Sequence, residues 1–313
     1  MLFLYQICRG RGGGSRPAGL HLLREPVKAA KFPRKAPIGL VILKGERYMD
    51  TVKLKVLNAD GYTRMASAAG EQVSLVYAGA YAPGDRIALS VSRPEGYYVI
   101  QLEDTLPETL VYITQMEAVY TVPSGSDLIV FSPKSFSGSR HLIRARAARP
   151  EEVAQRRNLA LNPFDRHNSV GIFPHAEANV ETRGEAVFAA YNAIDGIYEN
   201  ASHGEWPYQS WGINRDPKAE WTLRFGRSVC IDELRMTLRA DFPHDSWWEE
   251  AVVEFSDGSR EVLELKKDDK PQAFPIAPRS VEWLTLKELK KAEDLSPFPA
   301  LTQFEAWGTE VRK

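Results

Sequence analysis

Glu220-Trp221-Thr222-Leu223-Arg224-Phe225-Gly226, followed closely by Val229-Cys230-Ile231-Asp232-Glu233-Leu234-Arg235-Met236, is the stretch on which the reading of the chain turns. Apolar and polar side chains alternate there with a period of two, the mark of a strand with one face on a core and the other on solvent. Working outward, residues 251–255, 261–265, 281–286 and 303–307 repeat the pattern. Ser256-Asp257-Gly258-Ser259 between two of these runs signals a hairpin, because Asp-Gly suits a type I′ turn. Residues 287–293 form a short charged stretch before Pro297. Upstream, residues 51–57, 71–77, 86–91, 97–102, 110–113 and 127–131 are further β runs. Ala82-Pro83-Gly84-Asp85, Pro94-Glu95-Gly96 and Pro123-Ser124-Gly125 punctuate them. Short strands at this spacing predict an all-β protein of two tandem antiparallel β-sandwich, or jelly-roll, domains. The first spans 49–150, residues 151–157 link, and the second spans 158–313, with 150–157 reading as a short connecting helix.

The 313 residues suffice for two such domains, and 43% hydrophobic with 26% charged residues fits a globular chain. The net charge of −1 hides an asymmetry: residues 1–48 carry +8 and the remainder −9. A nucleic-acid binder concentrates positive charge on its folded part, so nucleic acid is not expected as a partner. Residues 1–48 contain Arg9-Gly10-Arg11-Gly12-Gly13-Gly14-Ser15-Arg16-Pro17 and read as a disordered leader outside the natural protein. Lys44-Gly45-Glu46 can be encoded by a purine run resembling a bacterial ribosome-binding site, with Met49 following at the usual spacing as the expected start. A basic interaction tail is the alternative, while Leu2-Phe3-Leu4-Tyr5 is too short an apolar core for a secretory signal. Cys8 and Cys230 offer no disulfide framework, and no stretch has the length of a membrane-spanning helix. The cytoplasm is the expected location, with secretion left open, and no membrane partner is expected.

All seven tryptophans, Trp206, Trp211, Trp221, Trp247, Trp248, Trp283 and Trp307, lie beyond residue 205. Trp211 and Trp221 suit a core, and alternation buries one of Trp247 and Trp248. Trp206 and the Trp247-Trp248 pair sit beside Gly, Pro, His and Asp in loops. Indole faces pack on the C–H faces of a sugar, while charged and amide groups meet its hydroxyls. The expected ligand-binding residues are His175, Glu177, His203, Glu205, Trp206, Gln209, Arg239, Asp241, His244 and Trp247.

An ordered set of elements runs through the second half: Asn158-Leu159-Ala160, then Ala190 to Gly196 ending Ala193-Ile194-Asp195-Gly196, then Ser210-Trp211, Trp221 to Gly226, and Phe304-Glu305-Ala306-Trp307-Gly308. With these, residues 158–308 resemble the discoidin, or coagulation factor 5/8 type C, branch of galactose-binding-like domains, which includes many bacterial carbohydrate-binding modules. The resemblance implies a non-catalytic domain that holds sugar on loops at one end of the sandwich. It also implies a structural Ca²⁺ at Asp195 and Glu305, helped by Asn192 or Asn200, and Ca²⁺ takes six to eight oxygen ligands. The loop between the Asp-Gly and Ser-Trp elements departs from the family in carrying less Gly and Ser. Three alternatives stand beside the sugar reading. His175, His203 and His244 with Asp241 could hold Zn²⁺ in a hydrolase or isomerase acting on sugar. Glu205 and Asp241 could pair as the carboxylates of a glycosidase. The aromatic loops could be a protein-interaction hot spot. Expected partners are a saccharide or glycoconjugate, and beyond it a partner enzyme or a homo-oligomer.

Overall fold

Alternation becomes ladder in the first half of the protein. Strands β1 (Val52–Leu57), β2 (Thr63–Ala66), β3 (Gln72–Tyr77), β4 (Arg86–Val91), β5 (Gly96–Gln101), β6 (Thr109–Ile113), β7 (Glu117–Thr121) and β8 (His141–Ala147) build it. In β1 and β3 every second side chain is buried, as a two-residue period requires. A four-stranded antiparallel sheet in the order β2-β1-β4-β7 faces a second sheet made chiefly of β6-β5-β8-β3. Leu54, Ile87, Tyr98, Val111 and Ile143 fill the space between. The structure, a computed structural model, describes residues 50–240 and 246–311. The expectations for the leader and Met49, and for Asp241 and His244, lie outside the described residues.

Helix α1 (Pro150–Ala154) leads into the second half, where Arg146 on β8 grips Glu152 with two hydrogen bonds of 2.7 Å. The strands that follow are β9 (Arg157–Asn158), β10 (Ile172–Phe173), β11 (His175–Ala178), β12 (Trp211–Gly212), β13 (Trp221–Leu238), β14 (Trp248–Phe255), β15 (Arg260–Glu264), β16 (Gln272–Lys291) and β17 (Ala300–Glu310). All but β10 join one antiparallel sheet in the order β12-β17-β13-β16-β14-β15, with β11 on β13 and β9 on β17. The sheet encloses its own core, in which Trp211, Trp221, Trp248, Leu234 and Phe304 are fully buried. Truncating any of these indoles to alanine would cost about 3–5 kcal/mol.

Three sequence expectations change. Residues 127–131 are no strand: a 3₁₀ helix covers Gly125–Val130, because Leu128 and Ile129 both face solvent while Val130 and Phe131 both face the core. The runs 221–225 and 229–238 are one strand, β13, whose register shifts absorb the intervening residues as bulges. Its partner β16 is correspondingly long and takes in most of the charged stretch after Leu286. In the hairpin between β14 and β15 only Gly258 has positive φ (+82°), so a type I turn with a left-handed glycine replaces the I′ turn.

The two sandwiches are not separate bodies. Strand β10, from beyond the linker, pairs with β6 and becomes the edge of the first sandwich's second sheet. Phe164, Ile172, Val187, Phe188 and Tyr208 pack into the first core. Gly226 (φ +70°) makes room for this join, since a Cβ there would come within 2.4 Å of the Phe173 ring. All described residues belong to one compact unit, and none of its helices is long and apolar enough to cross a membrane.

Candidate functional site

The short 3₁₀ turn Ala190–Ile194 delivers Asp195 to the place where the two sandwiches meet. Three hydrogen-bond donors converge on its carboxylate. Ile197 N donates to Oδ1 at 2.8 Å, Gln303 Nε2 to Oδ1 at 2.6 Å and Gln209 Nε2 to Oδ2 at 2.9 Å. Gln209 and Gln303 are themselves buried, and Gln303 Oε1 accepts from Gly196 N at 3.0 Å. Burial nevertheless dominates over these donors and pushes the Asp195 carboxyl up to about 7. Glu305, two residues along β17 from Gln303, is buried and accepts from Trp307 Nε1 at 2.7 Å. Tyr198 lies beside it, its phenol pushed up by burial and by the Glu305 charge.

Asp195 and Glu305 form part of the wall of a cleft of about 550 Å³ between the sandwiches. The second sandwich also gives it Trp206, Tyr198, Asn192, Asn158, Arg157 and Arg166, and the first gives it Phe131, Leu106 and Thr105. Trp206 is half-buried, and its Nε1 has no acceptor among the described residues. Trp307 borders the cleft with the guanidinium groups of Arg235 and Arg156 over its ring at 4.7 and 5.5 Å. The cleft thus combines aromatic walls with a few carboxyl and amide groups, the usual make-up of a small-ligand site.

The donor set does not match the Ca²⁺ expected at Asp195. The groups on its oxygens present hydrogens, whereas a hard cation needs lone pairs. The β17 side chain that reaches Asp195 is the amide of Gln303, and Glu305 is engaged with Trp307. Among the described residues no cluster of three or more His, Cys, Asp or Glu could hold a metal.

The other expected ligand residues scatter. Arg239 corrects the sequence reading most: it is fully buried, and it donates to Tyr208 O at 2.6 Å and Ser202 O at 3.0 Å. It is a staple for the loop that carries Trp206, held inside because two backbone carbonyls need donors there. Gln209 likewise faces Asp195 and not solvent. His175 Nδ1 lies 2.7 Å from Asp165 Oδ1; burial opposes its charge, but the Asp165 hydrogen bond prevails and its pKa is raised. Glu177 is exposed and paired with Arg224 across the strands. His203 packs near Tyr208 and borders a different cavity, of about 130 Å³, with Arg215 and Phe298. Glu205 is exposed. Trp247 is half-buried against the second core and its neighbour Trp248 fully buried, as alternation required. Sequence reasoning missed Tyr198, Arg166 and Phe131. The aromatic loop 197–208 was the one signal for Tyr198, and no local pattern marks a cleft wall supplied by two sandwiches.

No protein-family profile matches the chain, and no curated protein sequence does. Among solved structures it is similar to chitosan-binding module 1 of a chitosanase/glucanase from Paenibacillus sp. IK-5, at 17% identity over 49% of this chain and 99% of that one, TM-score 0.35. It is similar to a Streptococcus pneumoniae fucose binding module at 11% identity over 49% of this chain and 96% of that one, TM-score 0.36. The family 32 carbohydrate-binding module of C. perfringens NanJ, solved with galactose, is 13% identical over 42% of this chain and 91% of that one, TM-score 0.31.

Proposed function

We propose that the protein binds a saccharide, without converting it, in the cleft between its two sandwiches. One observation carries this reading: a cleft of about 550 Å³ whose lining combines the half-buried indole of Trp206, with Tyr198 and Phe131, and carboxyl and amide groups. Sugar rings need that combination of flat apolar wall and hydrogen-bonding rim. The ordered motifs of residues 158–308, which resemble carbohydrate-binding discoidin domains, support it from the sequence side. The site differs from the one expected in drawing on both sandwiches and not on loops at one end of the second.

Titration calorimetry of the full chain against a panel of oligosaccharides tests the proposal. A ligand from the panel should bind, and Trp206→Ala should weaken it by about 1–3 kcal/mol, the scale of losing a partner at a polar, aromatic contact. The variant should melt as the parent does. Absence of binding across the panel, or unchanged affinity in Trp206→Ala, overturns the assignment. Release of reducing sugar on long incubation would replace binding with hydrolysis.

A further inference from the structure

Two arginines border the cleft, and they differ in what they are attached to. Arg157 is paired with Glu310. Arg166, in the connection between β9 and β10, forms no ion pair with any described carboxylate, although it is only partly exposed. Its surroundings are aromatic: the guanidinium carbon is 4.4 Å from the Phe131 ring centre, 4.8 Å from Tyr191 and 5.9 Å from Tyr120. Nη1 donates to the Asp165 carbonyl, and Nε is buried without an acceptor. Aromatic faces favour a cation but bring no negative charge. The side chain also forms part of the wall of a neighbouring cavity of about 200 Å³, which Asp127 shares. Asp195 acts on Arg166 only through space, without an ion-pair contact, and burial raises its carboxyl. A guanidinium stays charged at any ordinary pH. Keeping it partly out of water with no paired anion costs free energy that an anionic ligand would offset.

Resting on the sugar-binding reading of the cleft, we propose that Arg166 recognises a negatively charged substituent, so that the saccharide taken is acidic. Nη2 and the second hydrogen of Nη1 can meet a carboxylate or a sulfate ester equally well. Both belong to the same chemical class of ligand, an oxyanion on a sugar ring. Phe131 and Tyr191 lie against the guanidinium, while Trp206 stacks on the sugar itself.

The test is calorimetry of the full chain with three oligosaccharide series of matched length: neutral, uronic acid and sulfated. At low salt one acidic series should bind about tenfold or more tightly than the neutral series, as a charge-assisted pair implies. That ratio should shrink as salt is raised. Arg166→Gln should bring the ratio of acidic to neutral affinity close to one, and Arg166→Lys should keep part of it. Preference for uronate alone or sulfate alone upholds the proposal and names the anion. Equal affinity for neutral and acidic series at low salt overturns it and leaves the sugar-binding reading standing, as does a ratio unchanged in Arg166→Gln. If no series binds, both fall. Should Arg166→Gln fail to fold, the salt dependence of the parent protein decides the matter.

Discussion

Two carboxyl groups, one in each sandwich, are pushed to about the same value by opposite arrangements. Glu103, two residues beyond β5 in the first sandwich, rises to about 7 through burial and through neighbouring Asp104, with backbone N–H groups of Phe136 and Thr105 pulling the other way. Its Oε2 has no hydrogen-bond partner, and His141 Nδ1 stands 3.8 Å away, too far for one. Tyr81 packs over His141 at 4.2 Å, and burial lowers the His141 pKa. Asp195 in the second sandwich also reaches about 7, yet both of its oxygens are matched by donors. A raised carboxyl therefore does not by itself mark a site. Glu103 has one oxygen left without a donor, whereas Asp195 has donors on both and organises Gln209, Gln303 and the cleft wall.

The largest effect should separate the two by substitution. Asp195→Ala strands the buried amide of Gln209, while Gln303 keeps the carbonyls of Asn192 and Thr302, and should destabilise the protein by about 1–3 kcal/mol, the scale of one unsatisfied group. Glu103→Gln removes a charge that the first core hosts badly, so at pH 8 it should be neutral or stabilising by about 1 kcal/mol. Denaturant unfolding at pH 8 measures both, and equal losses in the two variants would erase the contrast.

A smaller effect concerns pH. Both carboxyls have folded values raised above their unfolded ones, so the stability they contribute is fully present near pH 4 and is lost as pH rises through about 7. His141, lowered in the fold, acts in the opposite sense near and below its usual value of about 6.5. The melting temperature should therefore fall between pH 6.5 and 8, with Glu103→Gln and Asp195→Asn each flattening the slope. A parent protein that grows more stable over that interval would contradict the burial argument for both groups.

The smallest expected effect is that of chelation. With amide hydrogens on both Asp195 oxygens, a chelator should move the melting temperature by less than about 1 °C, since only a ligand bound to the folded state shifts it by mass action. A fall of several degrees that Asp195→Ala abolishes would restore the Ca²⁺ reading and break the comparison at its second member.

The period-two alternation around Trp221 and Val229 needed no tertiary knowledge, because burying one face of a strand dictates it. The same holds for β1 and β3, for the burial of Trp211 and Trp221, and for the hairpin at Gly258. The helix at residues 125–130 was illegible as such, since its apolar composition fits either period. So was Arg239: a long cation beside loop aromatics reads as a ligand group until two backbone carbonyls are seen waiting for it inside. The cleft is the plainest case. Asp195 and Trp206 carry local signals, but Phe131 and Arg166 meet them only because β10 crosses to β6 and draws the sandwiches together. Sequence alone determined two sets of alternating strands and a tryptophan-rich second half. Tertiary structure decided which polar groups pair with one another and which face the cleft, because that depends on contacts between residues far apart in the chain.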